Sequence, residues 1–183
     1  MLTKNINFTN FQSNRLNKKI IKIFKELIKE DNKILDSFKK TYKNNYSKKK
    51  ISNFKKFSEF LIIGMGGSIL GARSIYSFLR TKIKKNFYFK DHFDYIKSDK
   101  KNNKSKRLNL IISKSGNTLE TISNLNIEIG GDRKNIFITE NKINDLTKIA
   151  KKLKSEIIHH NNYIGGRYSV LSEVGMLPAE LMG

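Results

Sequence analysis

The chain of 183 residues contains no cysteine. It can therefore form no disulfide, and it offers neither a thiol nucleophile nor a thiolate metal ligand. Histidine is nearly as scarce, with only His92, His159 and His160. Two of these are adjacent, and none has an acidic partner at ligand spacing, so no metal is expected. No apolar run approaches the ~20 residues of a membrane span. The first residues, MLTKNINFTNFQSN, lack the apolar stretch of a secretory leader. A soluble cytoplasmic protein is expected. Acidic residues are also few, 16 against 37 basic, which leaves a net charge of +21. Such a balance points first to nucleic acid or an anionic membrane. Arginine, however, is scarce at 6 of the 37. Base readout and bidentate phosphate contacts favour arginine over lysine. Most of the lysines are read as solvated surface, with neither nucleic acid nor membrane as partner.

Residues 1–12 are polar with scattered Ile6, Phe8 and Phe11, the pattern of an extended arm. From Ser13, a reasonable cap, Leu16, Ile20, Ile23, Phe24, Leu27 and Ile28 recur at helical spacing. A second helical pattern follows Asp31, with Ile34, Leu35, Phe38 and Tyr42. A short one holds Ile51, Phe54 and Phe57. Residues 1–58 carry 16 basic and 4 acidic side chains. They are expected to form a helical extension that packs on the rest of the chain by its Ile and Phe stripe. A basic amphipathic helix on a membrane is the weaker rival, because loops interrupt the face.

Five short apolar runs follow: Phe60–Ile63, Asn86–Lys90, Leu108–Ser113, Asn135–Thr139 and Glu156–His159. Helical patterns separate them after Gly67, Thr118 and Asn144, and a polar loop covers Lys97–Arg107. Strands alternating with helices predict an α/β fold, a doubly wound parallel sheet of about five strands between helical layers. Ligands of such sheets sit at the carboxyl ends of the strands.

Two turns at that edge carry chemistry. After the first strand comes Gly64-Met65-Gly66-Gly67-Ser68. Its glycines permit close backbone approach and Ser68 adds a hydroxyl. The third glycine of a dinucleotide turn is missing, since Ile69 stands there, and no acidic ribose partner follows. Dinucleotide binding is therefore rejected. Read alone, this remains an ordinary tight turn. After the third strand comes Ser113-Lys114-Ser115-Gly116-Asn117-Thr118. A helix start leaves amides unpaired and carries partial positive charge. Hydroxyls from Ser113, Ser115 and Thr118 around it make a cradle for phosphate. The plainer alternative is that Asn117 or Thr118 simply caps the helix.

The stretch Asn162-Tyr163-Ile164-Gly165-Gly166-Arg167-Tyr168-Ser169-Val170-Leu171-Ser172-Glu173-Val174-Gly175 resembles the signature of glucose-6-phosphate isomerases. Gly64–Gly71 is similar to that family's first glycine turn, and Ser113–Thr121 to its phosphate loop. The resemblance covers residues 64–175 and implies a sugar isomerase (SIS) fold over 59–183. It also implies sugar phosphates as substrates, no cofactor, and a homodimer. It assigns Ser68, Ser113, Lys114, Ser115 and Thr118 to the phosphate. Gly66, Gly67 and Gly165 would give backbone approach, and Gly166 and Arg167 would lie beside C1 and C2 of the opened sugar. The phosphate loop departs from the usual pattern, with Gly116-Asn117 where hydroxyl residues are common. The family's glutamate base, ring-opening histidine and late lysine follow the signature, so a longer isomerase with a second SIS domain is expected. The apolar stretch Val174–Gly183 fits a helix that packs on further structure. The competing reading is a non-catalytic SIS module that senses a sugar phosphate.

Overall fold

The structure, a computed structural model, describes residues 17–93, 107–130 and 133–183. The expected arm at 1–12, the Ser13 cap, most of the 97–107 loop and Gly131-Asp132 lie outside the described residues. Five strands form one parallel sheet in the order β2-β1-β3-β4-β5. They are β1 (Glu59–Gly64), β2 (Asn86–Lys90), β3 (Arg107–Ile112), β4 (Lys134–Glu140) and β5 (Glu156–His160). The expected five-stranded doubly wound architecture is present.

The strands read as continuous apolar runs because both faces of the sheet are covered. On one face Phe60, Ile62, Leu108, Leu110, Ile136 and Ile158 pack with Ile69 and Ala72 of α4 (Gly67–Leu79) and with Val174, Leu177 and Leu181 of α7 (Glu173–Met182). On the other face Leu61, Ile63, Ile111 and Phe137 meet Leu125 of α5 (Leu119–Glu128), and Leu146 and Ala150 of α6 (Asp145–Lys152). Period-two alternation along each strand thus divides one apolar run between two cores.

The chain runs from β1 out to β2, then returns to place β3 on the other side of β1. That reversal opens a crevice between the carboxyl ends of β1 and β3, the place where doubly wound sheets bind ligands. The turn Gly64–Ser68 leaves β1 on one side of it, and Ser113–Thr118 leaves β3 on the other.

The N-terminal region departs from expectation. Helix α1 (Lys18–Lys29) starts at Asn17, whose side chain accepts from the Lys19 amide. It buries none of its residues, and Ile20, Ile23, Phe24, Leu27 and Ile28 are all exposed. The Ile and Phe stripe therefore does not carry the packing. The second helical pattern is a single turn, α2 (Lys33–Asp36), which Ser37 closes by donating to the Ile34 carbonyl at 2.6 Å. Contact with the sheet comes later, through Ile51 of α3 (Lys48–Ser52), with Phe54 and Phe57 beyond it. Between α2 and α3 the chain runs antiparallel to β5. Tyr42 Oη accepts from Asn161, Asn45 donates to the His159 carbonyl, and Lys50 pairs with Glu156. The strap occupies the outer side of the edge strand, which otherwise offers unpaired backbone groups.

Candidate functional site

The loop after β3 is held from within. Ser113 is buried, and its Oγ lies 2.8 Å from Thr118 Oγ1 and accepts from the Gly116 amide at 3.2 Å. Ser115 Oγ accepts from the Asn117 amide and stands 3.5 Å from Thr118 Oγ1. Thr118 occupies the N-cap position of α5, yet its side chain makes no cap bond. Asn117 does not cap α5 either, because its Oδ1 accepts from the Asp145 amide of α6 at 3.0 Å. The capping alternative thus loses both its candidate side chains. The hydroxyls of Ser115 and Thr118 remain beside a helix start with no side-chain cap, the arrangement that suits an anion.

A second layer fixes the loop, and it includes a residue that sequence reading placed only at a helix start. Asn144 begins α6 with a full capping box to Thr147. It also fills the space beside Gly116, which has φ of +70°, so that a side chain at Gly116 would overlap it. Asn144 Nδ2 donates to Thr139 Oγ1, and Thr139 Oγ1 donates to the Lys114 carbonyl. Nothing in the spacing of residues 139–147 announces this, because the partners meet only when β4 lies beside β3.

The other two turns are brought to the same edge. Gly64 sits where a Cβ would lie 2.9 Å from the Ile112 carbonyl, so the first turn leaves β1 against the end of β3. Gly67 packs directly on Gly166, and any side chain at Gly67 would collide with the Gly166 carbonyl. Ser169 ties the same two turns by donating to the carbonyls of Gly166 at 2.7 Å and Gly67 at 3.3 Å. Lys114 links the phosphate loop to the signature segment, donating to the Asn162 carbonyl at 2.5 Å and lying 3.7 Å from Glu140. Lys114 is thus partly spent on structure, with Lys142 sharing the same carboxylate at 2.6 Å.

Arg167 lies in a short 3-10 helix, Gly166–Leu171, and is exposed. No ion pair engages it among the described residues. Ser68, in the first turn of α4, is half-buried, and Gly66, with φ of 54°, begins that helix without a side-chain cap. Every site residue expected from the sequence therefore falls in one of three turns at one sheet edge, linked by the Gly67–Gly166 packing and by the Lys114–Asn162 bond. A cleft of about 560 Å³ opens beside them over β4 and β5, lined by Asn45, Glu140, Lys142, His159 and Asn161 among others.

Beneath the signature turn lies a pair that sequence reading missed. His160 Nδ1 is 2.5 Å from Glu173 Oε1, and both side chains are buried. Tyr42 of the strap stands nearby. Burial, and then the charge of Glu173, push its hydroxyl up to about 12.

Comparison with known proteins agrees with this geometry. The family model for phosphoglucose isomerase matches residues 9–183. A probable glucose-6-phosphate isomerase of Methanococcus maripaludis is 36% identical over 189 residues, covering 90% of this chain and 41% of that protein. The glucose-6-phosphate isomerase of Borreliella burgdorferi strain ZS7 is 34% identical over 143 residues, covering 69% of this chain and 27% of that one. The chain thus spans less than half the length of these relatives. Among solved structures, a hypothetical protein of Thermus thermophilus superposes with a TM-score of 0.66 at 25% identity, covering 74% of this chain and 36% of that one. With three motifs on one sheet edge and a family match over nearly its whole length, the chain belongs to the phosphoglucose isomerase family.

Proposed function

We propose that the protein is a glucose-6-phosphate isomerase, interconverting glucose 6-phosphate and fructose 6-phosphate, and that residues 59–183 are its sugar-phosphate-binding unit with 1–58 as the helical extension. The phosphate sits on Ser68, Ser115 and Thr118 at the open start of α5, with Ser113 ordering the loop from inside and Lys114 adding charge. Gly66, Gly67 and Gly165 let backbone lie close to the sugar. Gly166 and Arg167 stand at C1 and C2. A proton removed from C2 and returned at C1 passes through an enediolate, and a fixed guanidinium stabilises the oxyanion as it develops. No metal or nucleotide enters this scheme.

The observation that carries the reading is the packing of Gly67 on Gly166. It joins the turn after β1 to the turn that bears Arg167, while Lys114 joins the latter to the phosphate loop. A phosphate module alone gives no reason for that junction.

Titration of the chain with fructose 6-phosphate and with inorganic phosphate tests it. Weak binding is expected, with Kd on the order of 1 mM. Ser115→Ala with Thr118→Val should weaken both ligands together, and Arg167→Ala should weaken only the sugar phosphate. Residues 1–183 alone should show no turnover in a coupled isomerase assay; measurable turnover would contradict this. If Arg167→Ala leaves fructose 6-phosphate binding untouched, the sensing module becomes the better reading. The homodimer belongs to the same proposal, and sedimentation equilibrium of the isomerase checks it.

A further inference from the structure

His160 ends β5 and Glu173 opens α7, so the two residues flank 161–172, which hold most of the signature segment. The imidazole is bonded on both sides of the Gly165–Arg167 turn. Nδ1 meets Glu173 Oε1 at 2.5 Å, and Nε2 lies 3.0 Å from the Ile164 carbonyl. A carbonyl oxygen only accepts, so Nε2 is the N–H that reaches Ile164. The other ring nitrogen then faces a carboxylate, and a proton lies between them. Between these two anchors run Gly165, Gly166 and Arg167.

The pair is an expensive way to fill this space. Side-chain exposure is 1% for His160 and 0% for Glu173, and Glu173 Oε2 has no hydrogen-bond partner among the described residues. Buried ion pairs are often no better for stability than apolar side chains of similar volume. What an apolar pair cannot do is fix the peptide carbonyl of Ile164, the last one before the two glycines. The neighbouring contacts act on the same turn from other sides. Asn161 donates to Tyr42 at 3.0 Å, Lys114 donates to the Asn162 carbonyl, and Ser169 donates to the Gly166 carbonyl.

We propose that His160 and Glu173 are positioning residues of the site: bonded to each other and to the Ile164 carbonyl, they hold the Gly165–Arg167 turn against Gly67. The proposal rests on the reading of Arg167 as the group that meets the sugar, and it acts through that residue without touching substrate.

The test compares wild type with the double variant His160→Leu/Glu173→Leu and with the single variant His160→Gln. Amide hydrogen exchange is followed at Gly165–Arg167 and in β3 and β4, and fructose 6-phosphate and inorganic phosphate are titrated. The double variant should keep its urea midpoint and its exchange protection in β3 and β4. Its turn amides should exchange about tenfold faster, as a local opening would produce. Its fructose 6-phosphate affinity should fall about tenfold with inorganic phosphate affinity unchanged, a difference of about 1.4 kcal/mol. His160→Gln, whose amide still donates to Ile164, should recover part of both effects. Turn amides as protected as in wild type, or equal losses for both ligands, would overturn the proposal. If the double variant does not fold, Glu173→Gln alone decides: turn amides as protected as in wild type, together with unchanged fructose 6-phosphate affinity, overturn the proposal. If wild type shows no preference for fructose 6-phosphate over phosphate, the sugar-phosphate reading fails, and exchange at the turn still decides for or against the pair.

Discussion

One methyl group at Gly67 has nowhere to go. Its neighbour there is the backbone of Gly166, which cannot swing aside as a flexible side chain would. Gly67→Ala must therefore push the two turns apart, at a cost of about 1–3 kcal/mol typical of overpacking. The loss should fall first on function: fructose 6-phosphate binding should vanish in a titration while circular dichroism still reports a folded chain. Gly116→Ala strikes a different neighbour. It forces an L side chain into φ of +70° and into Asn144, whose displacement also breaks the capping box of α6. The penalty should again be about 1–3 kcal/mol for the strained backbone. Both ligands, phosphate included, should weaken with it, because the cradle itself is deformed. The two variants would thus separate the sugar end of the proposed site from its phosphate end.

The elements divide in a similar way between those that hold the fold and those that do not. Phe24→Ser on α1 should change the urea unfolding free energy by no more than about 0.5 kcal/mol, as at other exposed positions. Ile51→Ala on α3 should cost about 2–5 kcal/mol, because Ile51 is 1% exposed in the main core. Glu128, at the end of α5, ties three cations: Lys90 at 3.2 Å, Arg107 at 2.5 Å and Arg133 at 3.2 Å. Burial pushes its carboxyl up, but the bonds and charges of Arg107 and Lys90 outweigh burial and hold it below its ordinary value of 4.5. A depressed carboxylate contributes stability above its unfolded value and loses it as pH falls through the folded one. Glu128→Gln should therefore flatten the acid side of the stability curve below about pH 4.5, and destabilise by about 3 kcal/mol at neutral pH by stranding the buried Lys90 beside the half-buried Arg107 and Arg133. The strands were legible because each is an apolar run between polar turns, and the site turns because hydroxyls and glycines cluster at strand ends. The packing of α1 was not legible, since an amphipathic stripe tells that a face is apolar and not what meets it. His160 and Glu173 were not legible either. They are thirteen residues apart, and their bond exists only after β5 has delivered the signature segment to α7.

At the scale of the whole molecule the question is what a charge of +21 does. Part of the positive charge is consumed in structure. Lys50 ties the strap to β5, Lys90, Arg107 and Arg133 surround Glu128, and Lys114 and Lys142 share Glu140. Many of the remaining lysines lie on the N-terminal extension, as in α1 and α3. A surface of that kind makes a diffuse field that concentrates small anions near the site and is screened beyond about 8 Å at physiological ionic strength. A duplex backbone would instead need a continuous track of such charges. The two partners then respond differently to salt. A protein that neutralises many DNA phosphates loses about 10³–10⁵ in affinity between 50 and 200 mM salt. Fructose 6-phosphate, if held as proposed by one phosphate on hydroxyl and amide contacts, should lose only about two- to threefold over the same range, as screening of a diffuse field allows. Titrating both ligands at the two salt concentrations separates the readings. A shallow slope for the sugar phosphate, with no saturable duplex binding at 200 mM, is the expected result. Saturable duplex binding at 200 mM, with the steep slope, would make nucleic acid a true partner of this surface and would remove the field from any account of how the site collects its substrate.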